Sequence, residues 1–545
     1  MTTLKAGPFK GMYTTLHDEA PMDMAHYLLN LIPRGNEVVQ RPPVRRWSSE
    51  TIASATIQTA GTFMSGTGFL PWVLTSEPAL YIYNPATEAL TVAVSAANFV
   101  TATVVATNSA YWVQYNGEIV FAQGDGTPWM WDGTAGAGSL TLLTNAGTVD
   151  SLHSPTVYYG KVFFIKSDGR TIVWCEENDA TTGYEAGGYN NAWTLSQSSE
   201  HPLRALVGTN LGLYYFRDNS IGLVHGAVTP DFSTTGVHDE VSTSVGVRQN
   251  VAPWPSAVKS GDNIWFCGTP YGVYRLPIGG KITRMDEPNP QMEDSGYNEP
   301  FGFTSELKLG QTPRFRGCFS VPSLGENLKD MVVFTPEPDA TLPTALDTIS
   351  CLLIDAYDSR ILGWVRFYHG TGDPTISGNI RGVWLRAGDK GTPVLGDNAA
   401  STRIFTWGWD DTVEIDSGPD ENAAGTLQTN AYRLVGPPIG YDASGKTAWH
   451  FDQLRMKVFG EGSVTGSCQY LTSEKSYQDE VDAAQAWTTT HDATHRNARI
   501  VELGISEDGR WMRPVVAVSS ATLDEFGIGD MVVEAFPQPM DEFTK

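Results

Sequence analysis

The chain has 545 residues, 41% of them hydrophobic and 11% aromatic, which is enough apolar surface for several cores and excludes disorder as a whole. It carries 36 Lys and Arg against 61 Asp and Glu, a formal net charge of −25. A negatively charged surface repels phosphate, which argues against sequence-independent binding to nucleic acid and against binding to an anionic membrane. The 55 glycines and 32 prolines predict many turns and few helices.

Cysteine usage and hydropathy favour a protein made in a reducing cytosol without a membrane anchor. The five cysteines are scattered and odd in number, so we expect buried thiols and no CxxC zinc site. No apolar run reaches the 18 residues of a membrane span, and the first 21 residues lack the apolar core of a secretory signal.

The first 48 residues differ from the rest of the chain. They predict an extended arm with one short helix from about Met22 to Leu31, and four arginines make the arm locally basic: Arg34, Arg41, Arg45 and Arg46. We predict that residues 1–48 dock on another protein or on a neighbouring subunit, and that these arginines pair there with acidic groups.

A hairpin unit recurs after residue 49. It combines a glycine-containing turn, a β-branched or aromatic strand, a tight polar turn and a second strand ending in an aromatic residue. Its anchoring glycines are Gly117, Gly160, Gly212 and Gly261, at steps of 43, 52 and 49 residues. A hairpin period of this length is typical of β-propeller blades, which we predict over residues 49–425. A β-sandwich of unrelated hairpins is the alternative.

Residues 426–545 predict a C-terminal β module or closing blades, because Leu454, Met456 and Val458 alternate with Arg455 and Lys457. The predicted fold class is therefore all-β, with a β-propeller-like core, an extended N-terminal arm and a C-terminal β module. Two long polar insertions are expected to project as loops: Glu176–Asn191 and Asp286–Pro300.

One segment matches a nucleotide-binding pattern letter for letter. Gly440–Thr447 reads GxxxxGKT, and the run ending in Asp355 resembles a magnesium-holding strand. A phosphate loop needs a strand before it and a helix after it. Here Pro437 and Pro438 precede the loop and a period-two pattern follows it, so we interpret the segment as a hairpin tip.

Other chemistry-bearing residues form no specific catalytic pattern. His491 and His495 are interpreted as a loop pair, and Ser506–Trp511 as a hairpin turn. Carboxylates for glycoside cleavage could come from Asp410, Asp411, Glu414 and Asp416 or from Glu293 and Asp294, and the stretch Asp410–Glu421 could hold calcium. No pair stands out, so we assign no catalytic, cofactor-binding or metal-binding residue and predict a non-enzymatic protein. The calcium question stays open.

The N-terminal arm carries a family resemblance. The residues concerned are Ala20–Ala25, Asn30, Pro33-Arg34-Gly35 and Val38–Pro42. Over roughly 45 residues this arm resembles the opening of bacteriophage tail nozzle and tail hub proteins, which include the tail tubular protein B and packaged-DNA stabilisation types of short-tailed phages.

The resemblance implies a structural protein of the virion tail. It implies a ring, commonly of six copies, attached to the phage adaptor or head–tail connector and to tail fibre proteins, and enclosing the channel for DNA ejection. An electronegative wall would let the genome pass without specific binding. The alternative function is a carbohydrate-binding or glycoside-cleaving β-propeller, such as a tail fibre or a glycosidase.

Overall fold

The computed structural model describes most of the chain. It leaves out residues 13–20, 26, 42–43, 47–51, 54, 56, 66–67, 78, 85–88, 102–109, 125, 137–138, 144–150, 185–190, 196–200, 227–235, 249–252, 270–271, 286–314, 322–330, 337–349, 367–378, 386–390, 397–400, 403, 408–419, 422–426, 429, 442–446, 473–483, 493–494, 521–525 and 539–545.

Strands dominate the described residues, with one short helix. The elements before residue 150 are β1 (Thr2–Ala6), β2 (Tyr27–Leu29), β3 (Leu31–Arg34), β4 (Glu37–Gln40), β5 (Val44–Arg46), β6 (Ile52–Ala53), β7 (Ile57–Ser65), β8 (Gly68–Thr75), β9 (Leu80–Asn84), β10 (Ala89–Val94), α1 (Ala96–Thr101), β11 (Tyr111–Tyr115), β12 (Glu118–Ala122), β13 (Trp129–Trp131) and β14 (Leu140–Leu142).

The middle of the chain continues with short strands. They are β15 (Leu152–Tyr158), β16 (Lys161–Lys166), β17 (Thr171–Trp174), β18 (Ala192–Thr194), β19 (Leu203–Gly208), β20 (Leu213–Arg217), β21 (Ile221–His225), β22 (Val237–Ser242), β23 (Gly246–Val247), β24 (Ala257–Ser260), β25 (Asn263–Thr269), β26 (Gly272–Pro277), β27 (Thr283–Arg284), β28 (Phe315–Val321), β29 (Met331–Pro336), β30 (Ser350–Asp355) and β31 (Arg360–Arg366).

The last part of the chain contains the longest strands. They are β32 (Asn379–Leu385), β33 (Gly391–Gly396), β34 (Ser401–Thr402), β35 (Ile404–Trp407), β36 (Asp420–Glu421), β37 (Leu427–Gln428), β38 (Asn430–Val435), β39 (Ala448–Gly460), β40 (Ser463–Thr472), β41 (Gln485–Thr490), β42 (Asn497–Gly509), β43 (Met512–Ser520) and β44 (Phe526–Gln538).

Seven antiparallel sheets follow one another along the part of the chain that the structure describes. In chain order, and called sheets 1 to 7 below, they are β7–β10, β11–β14, β15–β18, β19–β22, β23–β27, β28–β31, and β32, β33 and β35 completed by β5. The first strand of each sheet contacts the first strand of the next, and β32 of sheet 7 contacts β7 of sheet 1 again. The sheets therefore form a closed circle, which is the propeller-like architecture that the hairpin repeat predicts.

Packing between neighbouring sheets explains why the hairpins repeat. Phe163 and Ile165 of sheet 3 pack against sheet 4, whereas Val162 and Phe164 on the other face pack against sheet 2. Similar buried clusters join sheets 1 and 2 and sheets 4 and 5. Each of sheets 2 to 5 thus buries its two faces against its two neighbours, as the alternation of strand side chains requires.

Closure of the circle joins strands before and within the first sheet to strands of the last sheet. Strand β5 pairs with β35 as the outer strand of sheet 7, with Arg46 opposite Phe405 and Arg45 opposite Thr406. On the inner side, Gly382 of β32 pairs in parallel with Ala60 of β7. Residues before the first sheet therefore supply the outer strand of the last one, which ties the start of the circle to its end.

A two-sheet β-sandwich is joined to the circle of sheets at sheet 6. One sheet, called sandwich sheet I, has the order β3-β4-β44-β39-β42, with β1 also paired to β44. The other, sandwich sheet II, has the order β2-β38-β43-β40-β41 and is continuous with sheet 6 through β31. Tyr432 and Phe526 meet between the two sheets with ring centroids 5.0 Å apart. The sandwich interior and the interior between sheets 5 and 6 form one hydrophobic cluster.

The N-terminal segment is extended, but its strands pair with the chain's own C-terminal strands. Thr2–Ala6 lies antiparallel to Met531–Ala535, and Tyr27–Leu29 lies antiparallel to Arg433–Val435. The helix predicted from Met22 to Leu31 is wrong: this stretch contains a turn, β2 and the start of β3. Insertion of β2 between β31 and β38 supplies backbone hydrogen bonds on both sides, which outweighs local helix propensity.

Two further predictions can be compared with the structure. Leu454, Met456 and Val458 are fully buried between more exposed neighbours, which confirms the alternation in β39.

In the described residues, no helix has the length and apolar character needed to cross a membrane. Of the two long insertions, residues 176–184 are irregular and 286–300 lie outside the described residues.

Replacing Gly382 by alanine should weaken closure of the ring. A Cβ atom there would overlap the carbonyl oxygen of Ala60, so β32 and β7 would have to separate. We expect the free energy of unfolding in a urea titration to fall by about 1–3 kcal/mol, as for overpacked cores. Gly504→Ala is the matched control because no atom lies within 4 Å of a Cβ at that strand position. Equal losses in the two variants would contradict the closure role.

Candidate functional site

Some of the residues that carry the family resemblance form the β3–β4 hairpin and its base. Asn30 has a positive φ of 55°, a conformation that asparagine adopts more readily than most residues. Its side-chain oxygen accepts a hydrogen bond from Nε of Arg41 at 3.0 Å, and its carbonyl oxygen accepts one from the Arg41 backbone N–H at 2.8 Å. The β3–β4 hairpin lies between these two residues, so their contacts close its base.

The tip of that hairpin is the turn at Gly35 and Asn36. Both residues are exposed, and Gly35 has a φ of 61°, which glycine adopts without strain. Arg34 is half-buried and stands opposite Glu37 in the β3–β4 register. The hairpin thus presents a small polar tip at one edge of sandwich sheet I.

A long-range ion pair fixes the hairpin to the C-terminal part of the chain. Both guanidinium Nη atoms of Arg496 donate to the carboxylate oxygens of Glu37, each at 2.6 Å. Arg496 also lies over the Phe459 ring, 5.5 Å from its centroid. A Cβ at Gly527 would collide with the Glu37 carboxylate, so only glycine leaves room for this pair. The two-point contact between the partly buried side chains sets the hairpin's position geometrically.

The structure places the four predicted docking arginines on different elements. Arg34 is at the hairpin, and Arg41 is 1% exposed and holds Asn30. Arg45 and Arg46 lie in β5, in the outer strand of sheet 7. Arg41 therefore acts within the chain as it is folded here. Docking through Arg34, Arg45 and Arg46 stays a prediction.

Sandwich sheet I carries cross-strand ion pairs that the sequence reasoning missed. Arg455 bridges Glu502 and Glu534 on the strands to either side of it, at 3.0 and 2.7 Å. At one edge, Lys5 pairs with Asp530 at 2.9 Å. Burial alone would raise the pKa of Asp530, but hydrogen bonds from Lys5 and the backbone, together with the charges of Lys5 and Lys457, outweigh it and lower the pKa. The alternation of Arg455 and Lys457 with apolar residues signalled this charged face, but not its partners on other strands.

The segment that matches the nucleotide-binding pattern lacks the helix that should follow a phosphate-binding loop. Thr447 is followed by the 13-residue strand β39 where a phosphate loop needs a helix, as the period-two pattern predicts. Gly440 accepts a hydrogen bond from the Trp449 indole at 2.8 Å, and Lys446 lies outside the described residues. Asp355 accepts the backbone N–H groups of Tyr357 and Asp358, so it shapes the β30–β31 turn.

The two histidines of the loop after β41 do not converge. His491 is buried and contacts the Thr489 hydroxyl at 2.8 Å, whereas the His495 side chain is 83% exposed. The segment Ser506–Trp511 does end in a turn, but β42 and β43 pair with other strands in different sandwich sheets. The hairpin interpretation of that turn is therefore wrong, because the chain crosses between the sheets there.

The candidate carboxylates for metal binding and glycoside cleavage lie mostly outside the described residues. Within the ranges that the structure describes, no three His, Cys, Asp or Glu side chains come together as metal ligands. Glu293, Asp294 and residues 408–419 lie outside those ranges, and so does most of the stretch from Asp410 to Glu421. Calcium binding there stays untested.

Substitution of either partner of the Glu37–Arg496 pair should destabilise the sandwich. We expect Glu37→Gln or Arg496→Gln to lower the free energy of unfolding by about 2 kcal/mol, because a partly buried charge-assisted contact is lost. The double variant should cost less than the sum of the single variants in a double-mutant cycle. Lys5→Gln is the control, since its exposed pair with Asp530 should contribute less than about 1 kcal/mol. Additive effects at Glu37 and Arg496 would contradict the coupling.

Comparisons with known proteins leave the family unassigned. No protein-family model matches the chain, and no curated protein matches it. A similar solved structure is the computationally designed Ika8 protein, at 10% identity and a TM-score of 0.37, covering 66% of this chain and 99% of that one. A similarity of that degree carries no argument about function.

Proposed function

We propose that this chain is a non-enzymatic structural subunit of a bacteriophage tail. It assembles into a ring, with six copies as the expected number, and forms a nozzle or hub around the DNA exit channel. Its partners are the adaptor or head–tail connector and the tail fibre proteins. Its place is the virion tail, after synthesis in the host cytoplasm.

The observation that carries this proposal is the role of the resemblance residues. Asn30, Arg41 and Gly35 build a hairpin that Glu37 ties to Arg496 across 459 sequence positions. Strands of the same segment complete sheet 7 and both sandwich sheets. A motif with this role joins propeller and sandwich into one unit, which suits a wall element under mechanical load.

The charge of the chain supports the same proposal. A net charge of −25 disfavours tight binding to DNA phosphates, so a genome could slide past a wall made of such subunits. On sandwich sheet I, by contrast, ion pairs satisfy several acidic groups within the chain. The subunit can thus be strongly acidic overall and still hold its sheets together.

Oligomeric state tests the proposal directly. Mass photometry of the purified chain should show a discrete species near six times the 59.3 kDa chain mass, and negative-stain images should show a ring. A chain that stays monomeric at tens of micromolar would contradict it. Turnover of glycans that a single carboxylate substitution abolishes would instead favour the carbohydrate-cleaving alternative.

Charge reversal separates docking from folding. Arg34→Glu, beside the exposed tip of the β3–β4 hairpin, should block assembly with neighbouring subunits or the adaptor while circular dichroism still shows a folded protomer. Arg41→Glu should lower the melting temperature, because the buried contact with Asn30 is lost. Lys281→Glu, an exposed turn residue of sheet 5, is the control for a charge change alone. Normal assembly of the Arg34 variant would refute docking through this arginine.

A further inference from the structure

Turns of neighbouring sheets contact one another at one end of the circle. The backbone N–H of Met64, near the end of β7, donates to the Gln114 side chain at 2.8 Å, and the amide of Gln114 donates back to the Met64 carbonyl oxygen at 2.6 Å. The Tyr115 hydroxyl, at the end of β11, donates to the carbonyl oxygen of Gly160 in the β15–β16 turn at 2.7 Å. These contacts join the ends of the first strands of sheets 1, 2 and 3.

The contacts continue from sheet 3 to sheet 5. The Tyr158 hydroxyl donates to the carbonyl oxygen of Gly226, directly after β21, at 3.1 Å. The Tyr214 hydroxyl accepts the backbone N–H of Gly279, between β26 and β27, at 3.0 Å. A Cβ at Gly279 would lie 3.5 Å from the Leu211 side chain of the β19–β20 turn. The turns between the first and second strands of sheets 1 to 4 therefore lie at the same end of the circle.

Large hydrophobic side chains are exposed on three of these turns. Met64, Tyr159 and Leu211 are 50%, 56% and 42% exposed, and together they are called the turn collar below. Among the described residues, the turns at the opposite end of sheets 2 to 4, after β12, β16 and β20, carry no exposed hydrophobic side chain of this size. Apolar side chains exposed together on one surface are typical of a site of protein–protein contact.

Tyr159 occupies a backbone conformation that favours other residue types. It has a φ of 51° and is followed by Gly160 at 69°, whereas the equivalent turn of sheet 2 has Asn116 at 50° and Gly117 at 79°. Asparagine adopts a positive φ readily, but a bulky residue does so at a cost in free energy. More than half of the Tyr159 side chain stays exposed, so burial within the chain offsets little of this cost. Backbone strain of this kind is concentrated at binding sites.

The surroundings of Tyr159 are acidic. The described carboxylates at this end of sheets 2 and 3 are Glu118, Asp132, Glu176, Glu177 and Asp179. Lys161, which lies among them, is 5% exposed and pairs with Glu176 at 3.6 Å. A Cβ at Gly160 would lie 3.5 Å from the Glu177 side chain, which places this exposed carboxylate beside the tyrosine turn. The turn collar therefore combines apolar side chains with negative charge.

Glu118 lies where this negative charge accumulates. Partial burial and the charges of Asp132 and Asp179 raise the pKa of its carboxyl. Asp132 and Asp179 accept hydrogen bonds from Thr134 and Thr181 of their own turns, and no described cation pairs with Glu118. A positive group supplied by a partner would relieve the repulsion between these carboxylates.

We propose that the turn collar docks a protein partner whose surface combines apolar side chains with Lys or Arg. The apolar side chains cover Met64, Tyr159 and Leu211, and the basic ones meet the carboxylates of Glu118 and Glu177. A cation over the exposed Tyr159 ring adds a further attraction. The net charge of −25 argues against an acidic partner. The proposal does not depend on the tail function.

A fluorescein-labelled amphipathic peptide of leucine and lysine tests this surface by fluorescence anisotropy. Saturable binding is expected, and it should weaken as salt screens the carboxylates. A peptide of leucine and glutamate with the same pattern is the control for apolar contact alone and should not bind. Absence of saturable binding for the leucine–lysine peptide, or equal binding of both peptides, would overturn the proposal.

Tyr159→Asn separates binding from folding. Asparagine suits the positive φ, so the melting temperature should not fall, whereas peptide binding should weaken about tenfold, as when an interface aromatic is removed. Glu118→Gln should weaken binding about threefold through loss of one charge. Val92→Thr, at an exposed apolar position of β10, and Glu461→Gln, in the β39–β40 turn, are controls that should bind like the parent. Parent-like affinity of the Tyr159 variant would overturn the proposal, because the peptide would then bind elsewhere.

Discussion

Closure of the circle of sheets is the constraint on which the rest of this structure depends. A sheet inside the circle is stable because a neighbour covers each face, but the first and last sheets meet only if residues near 60 and near 382 come together. Here the inner contact joins Gly382 to Ala60, and the outer strand of sheet 7 comes from Val44–Arg46. An open ring would leave apolar faces and strand edges exposed, which proteins avoid.

The same constraint accounts for the N-terminal segment. A strand that must reach sheet 7 near residue 407 has to run past the sandwich, and β1 to β4 pair with sandwich strands on the way. The contacts of Asn30 with Arg41 and of Glu37 with Arg496 fix that path at two points. One segment thus serves as ring closure and as the link between ring and sandwich.

Local patterns were sufficient to predict much of the fold. Asn116 and Gly117 have φ values of 50° and 79°, so the tight turns follow from residue type alone. The alternation around Met456 likewise predicts which side of β39 is buried. These signals need only neighbouring residues, which is why the four hairpins from Gly117 to Gly261 could be located from the sequence.

Non-local pairing set the limit of that reasoning. Tyr27–Leu29 carries no sign that β31 and β38 will flank it, so a helix was the reasonable local choice and was wrong. Arg41 is a charged residue in a basic segment, which suggests docking on a partner. Only the fold shows that it is buried against Asn30. The register shifts in β19, between Leu203 and Ala205, and in β32, between Ile380 and Gly382, could not be predicted either. A shift of one residue leaves no periodic pattern in the sequence.

These distant pairings also imply an order of folding. Sheets 1 to 5 are built from strands that are close in sequence, so each hairpin can form as soon as its own residues are available. Strand β5 has no partner until β35 exists, and β1 has none until β44 exists. Strands β1 and β5 are therefore among the last elements to gain their native partners, and they cover strand edges that the earlier steps leave open. Pairing of these strands completes the fold of the chain, and under the proposed ring assembly it would delay association until the propeller and the sandwich have both folded.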